Sequence, residues 1–504
     1  MDYLSILIAD LRTLITELGK NGGQMSPSVY DTAQVLRFAP PGEGPEPAIE
    51  WLLTQQQMDG GWGSLAAPLS RHTPTLAAVL ALHQYGRDAA ARTAMQEGID
   101  FLHQTAYQWQ PPLPEEMPVG VELIFPQLVG EAERAGLGIS AQPYTVLLEL
   151  GAYKRQLIQK HSPKAGTTPV FSWEAWGQEP ETAVIDGTGG IGHNPSATAF
   201  WLHKATNWHN LFTERAGAKR YLDLASAATF MGIPGIVPTA WPVDRFEQIY
   251  VLHTLQLAGL LDFSPLADLI DPELDNVSRA MTPKGIGFSD HFVPDGDDTY
   301  AALAILKGSH RPIDRKNLDL FRTETHFNTY PGELQPSPTV TARAIHAMSL
   351  WGERYKPAEA FIRQRQRADG RWNGDKWNTS WLYTTYLSVF ALKATGAPEH
   401  QPAIQKAINA LLAYQNPDGG WSTAGVSNLT ETGMGILTLL LCQSPQGQTA
   451  VQHAFTWMLE NYRPFAFNET MCWQNKQEYR IHRVDRTFEL AAMLSVALAL
   501  AGAV

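Results

Sequence analysis

Two cysteines in 504 residues, Cys442 and Cys472, leave this chain without a disulfide framework and without the paired-cysteine spacing of a structural zinc site. Charge is sparse as well. Only 17% of residues are Asp, Glu, Lys or Arg, the formal balance is −12, and no Lys/Arg tract stands out. The electrostatic footprint of a nucleic-acid-binding protein is therefore missing. No apolar run approaches the roughly 18 residues needed to cross a bilayer. The opening stretch MDYLSILIADLRTLITELGK has neither the basic start nor the small-residue cleavage site of a signal peptide. With Asp2, Asp10, Arg12 and Glu17 it reads as an amphipathic helix. These absences predict a cytoplasmic protein with no nucleic-acid partner and no transmembrane segment, and they leave peripheral membrane contact open.

Aromatic residues are plentiful: 15 Trp, 16 Tyr and 19 Phe, too many for a disordered chain. At this length a single core is not expected, and two or three domains are. One pattern occurs three times: QQMDGGW at 56–62, QRADGRW at 366–372 and QNPDGGW at 415–421. Each follows an apolar-periodic helix pattern and precedes another, so each copy reads as helix, Asp-Gly turn, Trp, short loop, helix. Asp-Gly supplies the turn, the indole can pack back on the preceding helix end, and Gln can bond the backbone there. These residues are read as structural. Asp369 and Asp418 are 49 residues apart, a paired-helix period, whereas 310 residues separate Asp59 from Asp369. Helix periodicity with few strand signals predicts an all-α protein of helix hairpins in rings, divided into two helical domains. VPTAWPVDRFEQ at 237–248 is the expected junction.

The chemistry-bearing stretch is IGFSDHFVPDGDDTYAALA, with Asp295, Asp297 and Asp298 crowded between a loop and an apolar helix. Two readings compete. The carboxylates can cap the helix and suit its dipole. Alternatively, crowding can keep at least one carboxyl protonated near neutral pH for proton transfer.

The Gln…Asp-Gly…Trp repeats together with Asp-x-Asp-Asp resemble the class II terpene cyclases, which are α/α-barrel enzymes. SVYDTAQV at 28–35, MPVGVELIFPQL at 117–128, NPSATAF at 194–200, VPTAWPVDRFEQIY at 237–250 and CWQNKQEYRIHRV at 472–484 resemble segments of the copalyl diphosphate synthase-like diterpene cyclases. Cyanobacterial meroterpenoid cyclases such as merosterolic acid synthase belong to the same wider group. The resemblance implies two α/α barrels, β and γ: about 1–20 plus 246–504 for β, and 21–245 for an inserted γ barrel, with a pocket between them. It implies protonation-initiated cyclisation of a prenyl chain, with Asp297 as the acid and Asp295 and Asp298 setting its orientation and protonation. No Asp-Asp-x-x-Asp motif accompanies it, so ionisation of an allylic diphosphate is not expected. Aromatic faces would stabilise the cations; Phe288, Trp241, Trp377, Trp381, Tyr383 and Tyr386 are the candidates.

Departures from the family pattern bear on the substrate. Thr239 stands where plant enzymes place an Asn that helps hold the water removing the final proton. The acidic magnesium segment is reduced to Glu115 and Glu116. Arg343 replaces a family Asn and is read either as a contact for a carboxylate or phosphate head group or as a surface ion pair. Lys476 and Arg480 are candidates for holding a diphosphate, with a solvated helix end as the alternative. The expectation leans to a geranylgeranylated aromatic acid as substrate with no required cofactor. Geranylgeranyl diphosphate, cyclised to a copalyl-type diphosphate with Mg²⁺, is the alternative. A non-catalytic helical scaffold and a zinc-dependent prenyltransferase subunit rank below both. The scaffold leaves the Asp cluster unexplained, and neither cysteine has a zinc-site context.

Overall fold

A computed structural model describes residues 3–114, 116–333 and 335–502. About 61% of the protein is helical and almost none of it is strand. Six helices pack side by side into a closed ring: Asp244–Leu257, Gly296–Gly308, Pro338–Ser349, Trp381–Ala394, Leu429–Cys442 and His482–Leu500, the last returning to the first. These inner helices are buried nearly all round, which fits their sequences: LAILKG, WLYTTYLSVFAL and MGILTLLLC carry little charge. Outer helices such as Lys356–Gln364, Gln401–Ala413 and Pro445–Asn461 bury one stripe and expose charge on the other face. The N-terminal helix Tyr3–Thr16 joins this ring by packing on Ala267–Ala280 and His482–Leu500.

After Leu18 the hydrophobic interior of this ring is left by the chain except at Met25, and it resumes at Ala240. Residues between build two further apolar clusters, one running from Val29 to Leu147 with Ala175 and Ile236, the other from Val35 to Trp241. Their inner helices are Val29–Phe38, His72–Tyr85, Val121–Arg134 and Pro195–Lys204, and the 3-10 segment Thr168–Ala175 completes this second ring.

The three repeats fold alike. Gln56, Gln366 and Gln415 each donate from Nε2 to the turn glycine carbonyl and to a carbonyl of the second helix onward, Ala94 of Ala89–Thr105, Ala403 of Gln401–Ala413 and Ala450 of Pro445–Asn461, all at 2.7–2.9 Å. Trp62, Trp372 and Trp421 are buried, with each indole N–H donating to the end of the preceding helix at Leu52, Ile362 or Leu411. The turn glycines Gly60, Gly370 and Gly419 have φ of 84°, 94° and 98°, the left-handed region that Gly enters without a Cβ penalty.

One short antiparallel hairpin, Trp473–Gln474 with Glu478–Tyr479, lies across the seam between the rings. Its backbone bonds reach the second ring: Val119 donates to the Asn475 carbonyl (2.9 Å) and Ser26 to that of Arg480 (3.1 Å).

Candidate active site

At this seam lies a pocket lined from both rings. Val119, Thr168 and Phe171 reach it from the second ring, and Asp295, Asp297 and Asp298 reach it from the first. The carboxylates stand where helix Gly296–Gly308 begins. Asp295 is the N-cap, its Oδ1 accepting the Asp298 N–H at 2.8 Å. Glycine is required next, because a Cβ at Gly296 would lie 2.3 Å from the Asn328 carbonyl. Both sequence readings therefore describe the same residues: the cap holds the cluster at the pocket wall.

Burial governs the ionisation of all three. It pushes Asp295 up to about 7 and holds Asp298 well above the carboxylate range, each repelled further by its neighbouring carboxylates. Asp298 Oδ1 is buried without a hydrogen-bond partner, a costly state for a carboxylate and a tolerable one for a neutral acid. Asp297 is raised by burial too, with the Arg343 guanidinium opposing. Arg343 comes from helix Pro338–Ser349 and is 2% exposed. It ion-pairs with Asp297, donates to the Tyr383 hydroxyl, and lies 4.4 Å from the Tyr250 ring centre.

Opposite the acids the lining is mostly aromatic. Phe246 and Tyr250 stack at 3.7 Å, with Trp473 edge-on to both at 5.6 Å and Tyr383 edge-on to Trp473 at 4.9 Å. Phe288 meets Phe292 at 4.6 Å, and Tyr330 meets Trp377 at 6.3 Å. Such faces stabilise a passing cation without offering it a nucleophile.

Of the sequence candidates, Phe288, Trp377 and Tyr383 line the pocket with the three acids, and the rest do not. Trp241 packs on Tyr221 and donates its indole N–H to Asn21 at 3.0 Å. Trp381 lies beneath the Arg371 guanidinium in a repeat, and Tyr386 packs between Phe390 and Phe488. Thr239 sits one layer behind the wall, donating to the Asn475 side chain at 2.8 Å. Arg343 is not a surface pair: it is buried, with Asp297 and Tyr383 engaging it inside the protein. Lys476 is buried against Glu174 at 2.5 Å, and Arg480 pairs with Glu469 at the surface. Glu116 bonds across to Gln474 through its carbonyl and receives Asn373 on its side chain, and Glu115 lies outside the described residues.

Sequence reasoning missed Phe246, Tyr250, Phe292, Trp473, Asn475 and Tyr479, all pocket residues. Every one of them lies inside a stretch singled out above, so the segments were visible but the inward-facing side chains were not. Tyr330 carried no sequence signal. Among the described residues no helix is long and apolar enough to cross a membrane. The one His/Cys/Asp/Glu group close enough to hold a metal there is Glu359, Glu399 and His400, which includes neither cysteine.

Residues 302–435 match the squalene-hopene cyclase C-terminal domain. The chain is 45% identical to the (+)-kolavenyl diphosphate synthase of Herpetosiphon aurantiacus over 98% of each chain. It is 31% identical to the labda-7,13-dienyl diphosphate synthase of Streptomyces clavuligerus, over 81% of this chain and 78% of that one. The ent-copalyl diphosphate synthase structure from Streptomyces platensis superposes with a TM-score of 0.78, covering 97% of this chain and 99% of that one at 24% identity. The chain belongs to the class II terpene cyclases, and it is an enzyme of that kind rather than a non-catalytic scaffold.

Proposed function

We propose that this cyclase acts on geranylgeranyl diphosphate, with Asp297 protonating the terminal alkene and the aromatic wall guiding ring closure to a cyclic diterpene diphosphate. The observation that carries the reading is the cluster of three acids with raised pKa values opening onto one aromatic pocket. A protonated carboxyl shielded from water is the donor that an isolated alkene requires. The diphosphate is favoured because relatives matching most of the chain are named as diphosphate synthases. The prenylated aromatic acid, preferred from sequence, is not supported. Its expected partner was Arg343, and that guanidinium is already engaged by Asp297 and Tyr383.

Two other lysines, each also paired with a carboxylate, are assigned to the head group because their two ammonium groups lie close enough to act together. Lys376, next to the pocket residue Trp377, pairs with Glu333 at 2.5 Å, and it is close enough to Lys154 to be influenced by its charge. Lys154 in turn pairs with Glu122, three residues beyond the pocket residue Val119. Two ammonium groups match a diphosphate. Glu122 and Glu333 offer the hard oxygen ligands that Mg²⁺ takes when substrate phosphates complete its shell. Bound there, Mg²⁺ would neutralise phosphate charge.

The test is incubation with geranylgeranyl diphosphate plus Mg²⁺ and, separately, with a geranylgeranylated dihydroxybenzoate, followed by mass and NMR analysis. Cyclisation of the diphosphate is expected. Cyclisation of the benzoate alone would overturn the reading.

A further inference from the structure

The reaction leaves a carboxylate behind in a dry pocket, directly beside a newly formed cation. When Asp297 gives up its proton, its O–H bond breaks and the electron pair stays on the carboxyl group. The alkene π pair forms the new C–H bond, and the substrate becomes a tertiary cation. The last cation loses a proton to solvent and solvent returns one to Asp297, so the whole is an isomerisation without a co-reactant. An unpaired buried carboxylate is costly and would take the proton back.

We propose that Arg343 is the counter-ion of the proton donor: a positioning residue whose guanidinium pairs with the Asp297 carboxylate as the proton leaves, making Asp297 a stronger acid than burial alone allows. This rests on Asp297 being the donor.

The guanidinium is fixed before the reaction begins. One Nη lies against Asp297 Oδ1, the other donates to the Tyr383 hydroxyl, and Tyr250 lies under its face at 4.4 Å. A preorganised charge costs no rearrangement when the carboxylate forms. Among the described residues Arg343 is the one cation in ion-pair contact with Asp297. The other groups facing Asp297 are Tyr250 on Asp244–Leu257, Tyr383 on Trp381–Ala394, Tyr330 and Asp375 on loops, and Tyr479 on the hairpin. Burial keeps these tyrosines protonated, and Asp375 is occupied by the Ser337 and Thr339 hydroxyls. The Asp375 carboxylate opposes ionisation of Asp297, and Asp297 in turn raises Asp295 and Asp298. His253 and His346, the titratable groups beside Arg343, are held neutral by burial. No other group therefore supplies the positive charge.

The experiment is a pH profile of kcat and kcat/KM on geranylgeranyl diphosphate for wild type, Arg343→Gln and Arg343→Lys, each confirmed as folded by circular dichroism. The active form carries the proton on Asp297, so activity is lost as pH rises through the pKa of the cluster. Removing the guanidinium raises that pKa. In Arg343→Gln the alkaline limb should move up by about 1–3 pH units. The low-pH plateau of kcat should fall roughly tenfold or more, because the weaker acid protonates more slowly. Arg343→Lys, which keeps the charge, should leave the limb in place. If Arg343→Gln turns over too slowly for a profile, Arg343→Lys decides: an unmoved limb supports the proposal, and a displaced or absent one overturns it. Lower rates with identical limbs in Arg343→Gln and wild type would also overturn it, since a purely structural role predicts that result. A wild type inactive on this substrate at every pH would instead reject the reading of the substrate.

Discussion

Changing the Asp297 carboxyl to an amide removes the transferable proton and keeps the shape, the hydrogen-bond reach to Arg343 and the helix start. Asp297→Asn should therefore lower turnover by at least about a hundredfold, the lower range for loss of general acid catalysis. Circular dichroism should be unchanged, and near-normal turnover would remove Asp297 from the role of donor. A second acid allows a stability test away from the chemistry. Glu478, on the seam hairpin, is 3% exposed, accepts the Thr379 hydroxyl at 2.8 Å and has its other oxygen buried without a partner. Burial pushes its pKa up to about 8, against about 4.3 in an unfolded chain. Because the folded value is the higher one, the unfolded chain binds fewer protons between these limits. Stability from this group is complete below about pH 4.3 and is lost as pH rises toward 8. Glu478→Gln does not titrate, so its melting temperature should rise relative to wild type between pH 5 and 8 and then level off. A constant difference across that range would show that Glu478 is ionised in the fold.

At the scale of the element, the repeats show why much of the architecture was legible in the sequence. Asp-Gly and Trp act within one helix–turn–helix unit and Gln ties that unit to the outer helix of the next, so a fixed spacing along the chain encodes their contacts. The Gln366 amide bridges Gly370 to Ala403, and the Trp372 indole reaches back to Ile362. Trp372→Ala empties a site that is 1% exposed and should cost about 3–5 kcal/mol in denaturant unfolding. Gln366→Ala leaves two carbonyls short of a donor and should cost about 1–3 kcal/mol. Neither residue lines the pocket, so folded variants should give the wild-type product. An altered product at unchanged stability would place the repeats in the catalytic wall. Pocket-facing direction is the part that local pattern does not encode. Trp241 and Phe246 are five positions apart in one conspicuous segment, yet Trp241 turns to Tyr221 while Phe246 faces Tyr250 and Trp473. Inner helices are buried on every side, so a helical wheel gives their aromatics no preferred face. Tyr386 and Tyr383, one turn apart on the same helix, illustrate this: Tyr383 lines the pocket and Tyr386 the core behind it.

Across the whole molecule the acid and the paired lysines belong to different surroundings, and this gives the substrate question a kinetic form. Asp297 and Arg343 lie inside the first ring, whereas the Lys154–Glu122 pair comes from the second, with the charge of Lys154 reaching Lys376, which pairs with Glu333 in the first. That convergence of residues more than 200 positions apart is tertiary, and it explains why sequence reading turned to Lys476, Arg480 and Arg343. Lys476 looked available but is neutralised by Glu174, 302 positions away. If a diphosphate is held by Lys376 and Lys154, the head-group site and the acid should separate in kinetics. Lys376→Gln removes one charge-assisted contact worth about 1.5–3 kcal/mol and leaves Glu333 to repel phosphate. KM for geranylgeranyl diphosphate should then rise by roughly ten- to a hundredfold, with a smaller change in kcat at saturation. Adding Glu333→Gln removes the repulsion and should recover part of that loss. EDTA should abolish turnover and Mg²⁺ should restore it, because a diphosphate has too much charge for two lysines already paired with carboxylates to neutralise. Full activity in EDTA, or a Lys376→Gln protein changed in kcat alone, would put the head group elsewhere and return the choice of substrate to a ligand of lower charge.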